Sequence, residues 1–271
     1  MESPAYNYIE HFVEEVLSSG KISFSLQDAI NRFPGQSVNS VKLALYRQVG
    51  KQKIISFYKG YYLIIPPEYK NRKILPLELF VDRFFNYLNR EYYVSLLSAA
   101  VYHGSSHQQP MEAYVNINKP PMRRSNSEGL KVNYIVKSNF PNEGLIKRKT
   151  DYGYMIISGP ELTAADLVMY SKRVGGINRV ADVLAELADS MNVDKLKQLL
   201  SGNFPVAILQ RLGYLLDFVI GRTELTDPIL EIISERPHFK VRLNNESGIE
   251  NAKTNSKWKM MVNHKFDLEI L

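Results

Sequence analysis

An α+β fold in two parts is what this sequence predicts, and three observations carry the prediction. The first 66 residues show three short helical periods and then two strand-like runs joined by Lys59-Gly60. Beyond residue 75, helical and strand-like stretches are mixed. Between the two parts stand Pro66-Pro67 and the polar run EYKNRK (68–73), which set a boundary near residue 68. The expected organisation is one domain over residues 1–68 and a larger mixed α/β domain over 69–271.

Within residues 6–17, Ile9, Phe12, Val13, Val16 and Leu17 form one helical stripe that Gly20 stops. Ile22 and Phe24 alternate as a short strand would. Ser25 precedes a second helical stretch with Leu26, Ala29, Ile30 and Phe33, ended by Pro34-Gly35. Ser37 opens a third, with Val38, Val41, Leu45 and Val49 expected on the core side and Gly50 at its end. IISFY (54–58) and YYLIIP (61–66) then read as a hairpin. Three helices followed by a hairpin is the order of a winged helix-turn-helix.

In the second part, Leu75–Asn89 and Tyr93–Tyr102 read as helices. Met111–Asn118, Leu130–Val136, Gly144–Lys149 and Tyr152–Ser158 read as strands, with a polar loop at 119–129. Helices are expected again at 162–172, with Thr163 as its cap, and at 177–191, where Ile177, Val180, Ala181, Leu184, Leu187 and Ala188 face one way. Residues 206–220 are apolar nearly all round, as in a buried core helix. HFKVRL and WKMMV near the end read as strands around a polar loop at 244–257. Trp258 is expected in the core.

Composition narrows the function. The chain has 271 residues, 45% hydrophobic and 23% charged, which fits a globular protein with a real core and excludes fibrous and disordered classes. It has no cysteine, which excludes disulfides, thiol catalysis and cysteine-ligated metal. No apolar run approaches the roughly 18 residues of a membrane helix. The N-terminal residues are acidic rather than basic and apolar, so no signal peptide is expected and the cytoplasm is the expected location.

The net charge is +6, and all of it sits in residues 21–66, which hold seven basic side chains and only Asp28 as an acid. The rest of the chain sums to zero. A local excess of this kind is the footprint of a polyanion-binding module. On the third helix, the face away from the core carries Asn39, Ser40, Leu43, Ala44 and Arg47 and no acid. Those residues suit the major groove: Asn can read adenine, Arg guanine, and Leu43 can touch a thymine methyl. Lys42, toward the buried flank, is cast as a phosphate contact. Lys51, Lys53 and Lys59 are expected to line the backbone as the wing, with Lys59 beside Gly60. Double-stranded DNA is the expected partner.

A second basic stretch, residues 112–150, has a net charge of +5 and includes Arg123, Arg124, Lys147, Arg148 and Lys149. It reads either as a second polyanion surface or as a solvated sheet edge whose lysines discourage edge pairing. Catalytic patterns are weak. His103 and His107 have a zinc-ligand spacing with Gly104 between them and no third ligand. Gly104-Ser105 with Glu112 lacks the second carboxylate of a two-metal site, because position 114 is tyrosine. Gly175-Gly176 is an isolated pair rather than a phosphate loop. Asp166, Asp182, Glu186 and Asp189 are expected on solvent faces of helices. No catalytic residue, metal or cofactor is assigned, and the chain is read as a non-enzyme.

The stretch from Gly20-Lys21-Ile22 through the third helix to Tyr58-Lys59-Gly60-Tyr61-Tyr62 resembles the N-terminal winged helix of AbiEi-type antitoxins of type IV toxin–antitoxin systems. Tyr92-Tyr93-Val94-Ser95-Leu96-Leu97-Ser98-Ala99-Ala100-Val101-Tyr102-His103-Gly104, then Gln109-Pro110 and Ala113-Tyr114-Val115, resembles the signature that follows that family's linker. Gln48 departs from the pattern, where an apolar residue is expected. The resemblance implies a transcriptional autorepressor that binds inverted repeats in its own promoter. It implies a C-terminal domain that counteracts a nucleotidyltransferase toxin without forming a stable complex with it. Inverted repeats imply dimeric or cooperative binding. The alternative is a winged-helix regulator whose second domain senses a ligand or dimerises, with no toxin partner.

Overall fold

The computed structural model describes residues 8–69, 75–105, 111–127, 130–202, 204–250 and 252–266. The chain is mixed α+β. In order it forms α1 (Tyr8–Ser18), β1 (Ser23–Ser25), α2 (Leu26–Arg32), α3 (Val38–Gly50), β2 (Ile54–Tyr58), β3 (Tyr61–Ile64), α4 (Val81–Tyr87), β4 (Tyr92–Val94), α5 (Leu96–Tyr102), β5 (Ala113–Ile117), β6 (Ser125–Ser127), β7 (Leu130–Val136), β8 (Leu145–Thr150) and β9 (Gly153–Ser158). There follow α6 (Pro160–Met169), α7 (Ile177–Leu187), α8 (Val193–Leu200), α9 (Val206–Tyr214), α10 (Asp227–Ser234), β10 (Val241–Arg242), β11 (Lys253–Asn255) and β12 (Met260–Val262).

Contacts divide the chain into two compact units. The first is Met1–Tyr92, Met111–Lys137 and Lys147–Ile156; the second is Tyr93–Pro110, Ser138–Ile146 and Ile157–Leu271. The first unit therefore contains all of residues 1–68 and three further stretches besides.

In the first unit, Ser25 starts α2 with a capping box: Asp28 N donates to its hydroxyl at 3.0 Å, and the Asp28 carboxylate accepts from Ser25 N at 2.7 Å. Ser37 caps α3 through Ser40 N at 3.1 Å. A three-stranded sheet of order β1-β3-β2 follows, with Ser23 opposite Leu63 and Ile54 opposite Ile64. Ile9, Phe12, Val13, Phe24, Ala29, Val41, Leu45, Ile54 and Ile64 make one core. Phe57 turns its ring edge to Phe80 and Phe84, with centroids 5.0 and 4.9 Å apart. This is why α4 belongs to this unit although a polar stretch precedes it. β5 and β7 pair in parallel from Ala113↔Val132 to Ile117↔Val136, and β6 pairs antiparallel with β7.

In the second unit, α6 is buried over all of Glu161–Val168. Its polar groups are tied inside: the Tyr93 hydroxyl donates to the Asp166 carboxylate at 2.8 Å, and Asn192 N donates to Glu161 Oε1 at 2.8 Å. Asp166 is thus a core residue, not the solvent-facing one expected. Thr163 lies within α6 rather than at its cap, bonded to the Ser158 hydroxyl at 2.7 Å. The stripe of α7 is buried as its period predicts. Residues 206–220 split into α9 and a π-helical stretch, Leu215–Ile220. That stretch gives Asp217 the indole N–H of Trp258 at 2.8 Å. Trp258 is buried, as expected. β10 and β11 flank β12, the first parallel and the second antiparallel.

Candidate nucleic-acid interface

The candidate interface is built on α3. Val41, Leu45 and Gln48 of this helix are buried and Ala44 and Val49 half-buried, so its inward face is fixed against α1, α2 and β2. Asn39, Ser40, Lys42, Leu43, Tyr46 and Arg47 are exposed. No acid lies anywhere on the helix. Val38 is exposed too, which corrects its placement in the core stripe. It is the first residue after the Ser37 cap and projects beyond the packed turn.

Tyr46 was not singled out from the sequence, yet 75% of it is exposed, and it stands near Leu43, which is 51% exposed. At 100° per residue both fall opposite the buried face, so the periodicity alone could have found Tyr46. Leu43 and Tyr46 thus form an exposed pair on an acid-free helix face. Gln48, the departure from the family pattern, is buried. Its Oε1 has no hydrogen-bond partner, while its amide bonds to Glu10.

The basic residues separate. Lys59 is exposed at the β2–β3 turn, where Gly60 takes a φ of +73° that favours glycine. Lys51 and Lys53 sit at the α3–β2 connection, at the other end of β2, so the turn carries Lys59 alone of the three. Lys53 pairs with Glu10 of α1, and this hydrogen bond is the main cause holding the Glu10 carboxyl below its usual range. Arg32 forks onto Glu15 with contacts of 3.1–3.3 Å. Two of the seven cations of residues 21–66 are thus met by acids of α1. Burial raises the Tyr8 phenol, and the nearby Arg47 charge opposes that shift.

The second basic group is also in the first unit. Arg123 and Arg124 are exposed in the connection before β6, and Arg124 pairs with Glu112, which also bonds Asn133 at 2.9 Å. Lys147, Arg148 and Lys149 are exposed on β8, which ends the strand order of its sheet. The Lys147 ammonium lies 4.5 Å from the centre of the exposed Tyr154 ring. His103 Nε2 bonds the Ser158 carbonyl at 2.8 Å, while His107 lies outside the described residues. Among the described residues, no helix is long and apolar enough to cross a membrane.

Residues 93–218 match the model of the AbiEi antitoxin C-terminal domain, a stretch that opens on the Tyr93–Gly104 signature. Over that stretch the chain is similar to the AbiEi antitoxin C-terminal domain, and this similarity supports an antitoxin role. The crystal structure of the RV2827C protein from Mycobacterium tuberculosis is similar in fold, with a TM-score of 0.67 at 17% identity, over 95% of this chain and 91% of that one. No curated protein matches the chain.

Proposed function

We propose that this AbiEi-type antitoxin binds double-stranded DNA through a winged helix-turn-helix at residues 1–68 and represses its own operon. The carrying observation is the exposed, acid-free face of α3 with Asn39, Leu43, Tyr46 and Arg47. In this reading Asn39, Ser40, Leu43 and Arg47 face base edges, and Lys42, Lys51 and Lys59 meet phosphates. Lys53 adds charge while held by Glu10. The domain that follows counteracts a toxin, and the sequence resemblance supports a nucleotidyltransferase as that toxin. No catalytic step is assigned to this chain, and its expected setting is the cytoplasm.

The test is a salt-dependent titration of the purified protein against its upstream DNA and a scrambled duplex. Affinity should fall with salt at a log–log slope of about −0.9 for each phosphate contacted. Arg47→Ala should erode the preference for upstream DNA by on the order of 1–3 kcal/mol, whereas Lys59→Ala should weaken both duplexes alike. Equal binding of both duplexes, indifferent to Arg47, overturns the reading.

The basic residues of 123–124, before β6, and of 147–149, on β8 at the other end of the strand order, are two further polyanion contacts in this proposal. Arg123→Ala with Arg124→Ala should lower both affinity for long upstream DNA and toxin neutralisation. If both stay at wild-type values, these two arginines have no such role.

A further inference from the structure

We infer that a polar cleft in the C-terminal unit, lined by Lys172, Arg211 and Asn244–Glu246, binds a single phosphoryl group, free or carried on a small ester. This site is separate from the DNA-reading face and does not depend on that reading. The cleft encloses about 120 Å³ between the turn after α6, the start of α7, the last turn of α9 and the segment after β10. That is well below the ~300–1,000 Å³ of pockets for drug-sized molecules, so the ligand is small.

Arg211 is the principal cation of the cleft. It is partly buried, and its guanidinium donates from Nε to the Arg242 carbonyl at 2.9 Å and from Nη2 to Asn245 Oδ1 at 2.8 Å. Both acceptors are neutral, and no carboxylate among the described residues pairs with it. Burial lowers its pKa, as it does for a cation without a counterion. A half-buried guanidinium without a carboxylate keeps its charge available, and the N–H groups left beside those two bonds suit the oxygens of a phosphoryl group.

The rest of the cleft complements that ligand. Lys172 brings a second cation, paired with Glu246 at 3.5 Å but exposed enough to turn inward. Glu246 can accept from a hydroxyl of an ester chain. The wall is held in place: Asn263 donates to the carbonyls of Asn244, Ser247 and Gly248 at 2.7–3.0 Å, and its own oxygen accepts from Asn244 N at 3.0 Å. A wall fixed before binding loses little entropy on binding. Apolar Val168, Ile177 and Ile208 also line the cleft, and they leave room for a short carbon chain.

Calorimetric titration of the full chain at constant ionic strength tests this, with inorganic phosphate, glycerol phosphate and acetate as probes. One phosphate-type ligand should bind per chain with saturation, and acetate about tenfold more weakly or not at all. Tighter binding of inorganic phosphate identifies a free anion as ligand, and tighter binding of glycerol phosphate an ester. Arg211→Gln and Lys172→Gln should each weaken binding about tenfold, while Lys59→Ala and Arg47→Ala leave it unchanged. Lys172→Gln removes only an exposed pair, so it reports even where Arg211→Gln fails to fold. The inference is overturned if neither phosphate probe saturates, if acetate binds as tightly, if Lys172→Gln binds like wild type, or if Lys59→Ala abolishes the signal.

Discussion

A β-carbon at position 213 would lie 2.1 Å from two ring atoms of Trp258, a distance no packing arrangement accepts. Glycine there is a seat for the indole, whose N–H then reaches Asp217 at 2.8 Å. Gly213→Ala should therefore destabilise the protein by ~1–3 kcal/mol or more, read as a lowered urea midpoint at unchanged slope. Stability equal to wild type would show that the indole has another seat. The burial of Trp258 was legible in the sequence because a single tryptophan is usually packed. Gly213 was not, since a glycine inside a helical pattern says that something is close without saying what. Gln48 taught the same lesson: the residue type marks a misfit, and only the fold shows the buried oxygen it leaves unbonded.

At the scale of elements, punctuation was read well. Ser25, Ser37 and Gly20 mark the helix ends they were expected to mark, because capping and left-handed turns are local chemistry, while Gly50 is the last residue of α3 and the left-handed residue beyond it is Gln52. Ser25→Ala removes the hydroxyl bonded to Asp28 N and should lower stability by ~1 kcal/mol, measured by thermal or urea unfolding. No change would mean that water replaces the cap at no cost. The elements that went unread are the ones set by tertiary contacts. α8 and α10 are short, and their apolar positions make sense only against other helices. The switch from α9 to a π-helical stretch, which carries the Asp217 that accepts from Trp258, is recorded by no periodicity. On the candidate interface, the face of α3 was legible from its period, whereas the pairing of Lys53 with Glu10 joins residues far apart in sequence.

For the molecule as a whole, buried phenols govern behaviour in alkali. Burial pushes Tyr61 and Tyr170 up to about 12. A pKa raised on folding favours the neutral phenol, so this stability is fully present below the ordinary tyrosine value of about 10 and is lost as pH rises through about 12. Urea midpoints should fall across that window, with tyrosinate absorbance appearing later in folded than in unfolded protein. Coincident absorbance titrations would contradict it. The α+β class was legible because both periodicities are present in the sequence, but the grouping of segments was not. The polar run at 68–73 reads as a linker, yet Phe80 and Phe84 beyond it pack on Phe57. The first unit also draws on residues up to 156. During synthesis, β3 is complete at residue 64, but the strands that finish its unit emerge as many as 92 residues later. At 5–20 residues per second that is a wait of roughly 5 to 20 s. Until β6 arrives to lie against β2, that edge strand is open on the nascent chain. A ribosome stalled in this interval releases a fragment with an unguarded edge, which is a substrate for chaperones and proteases.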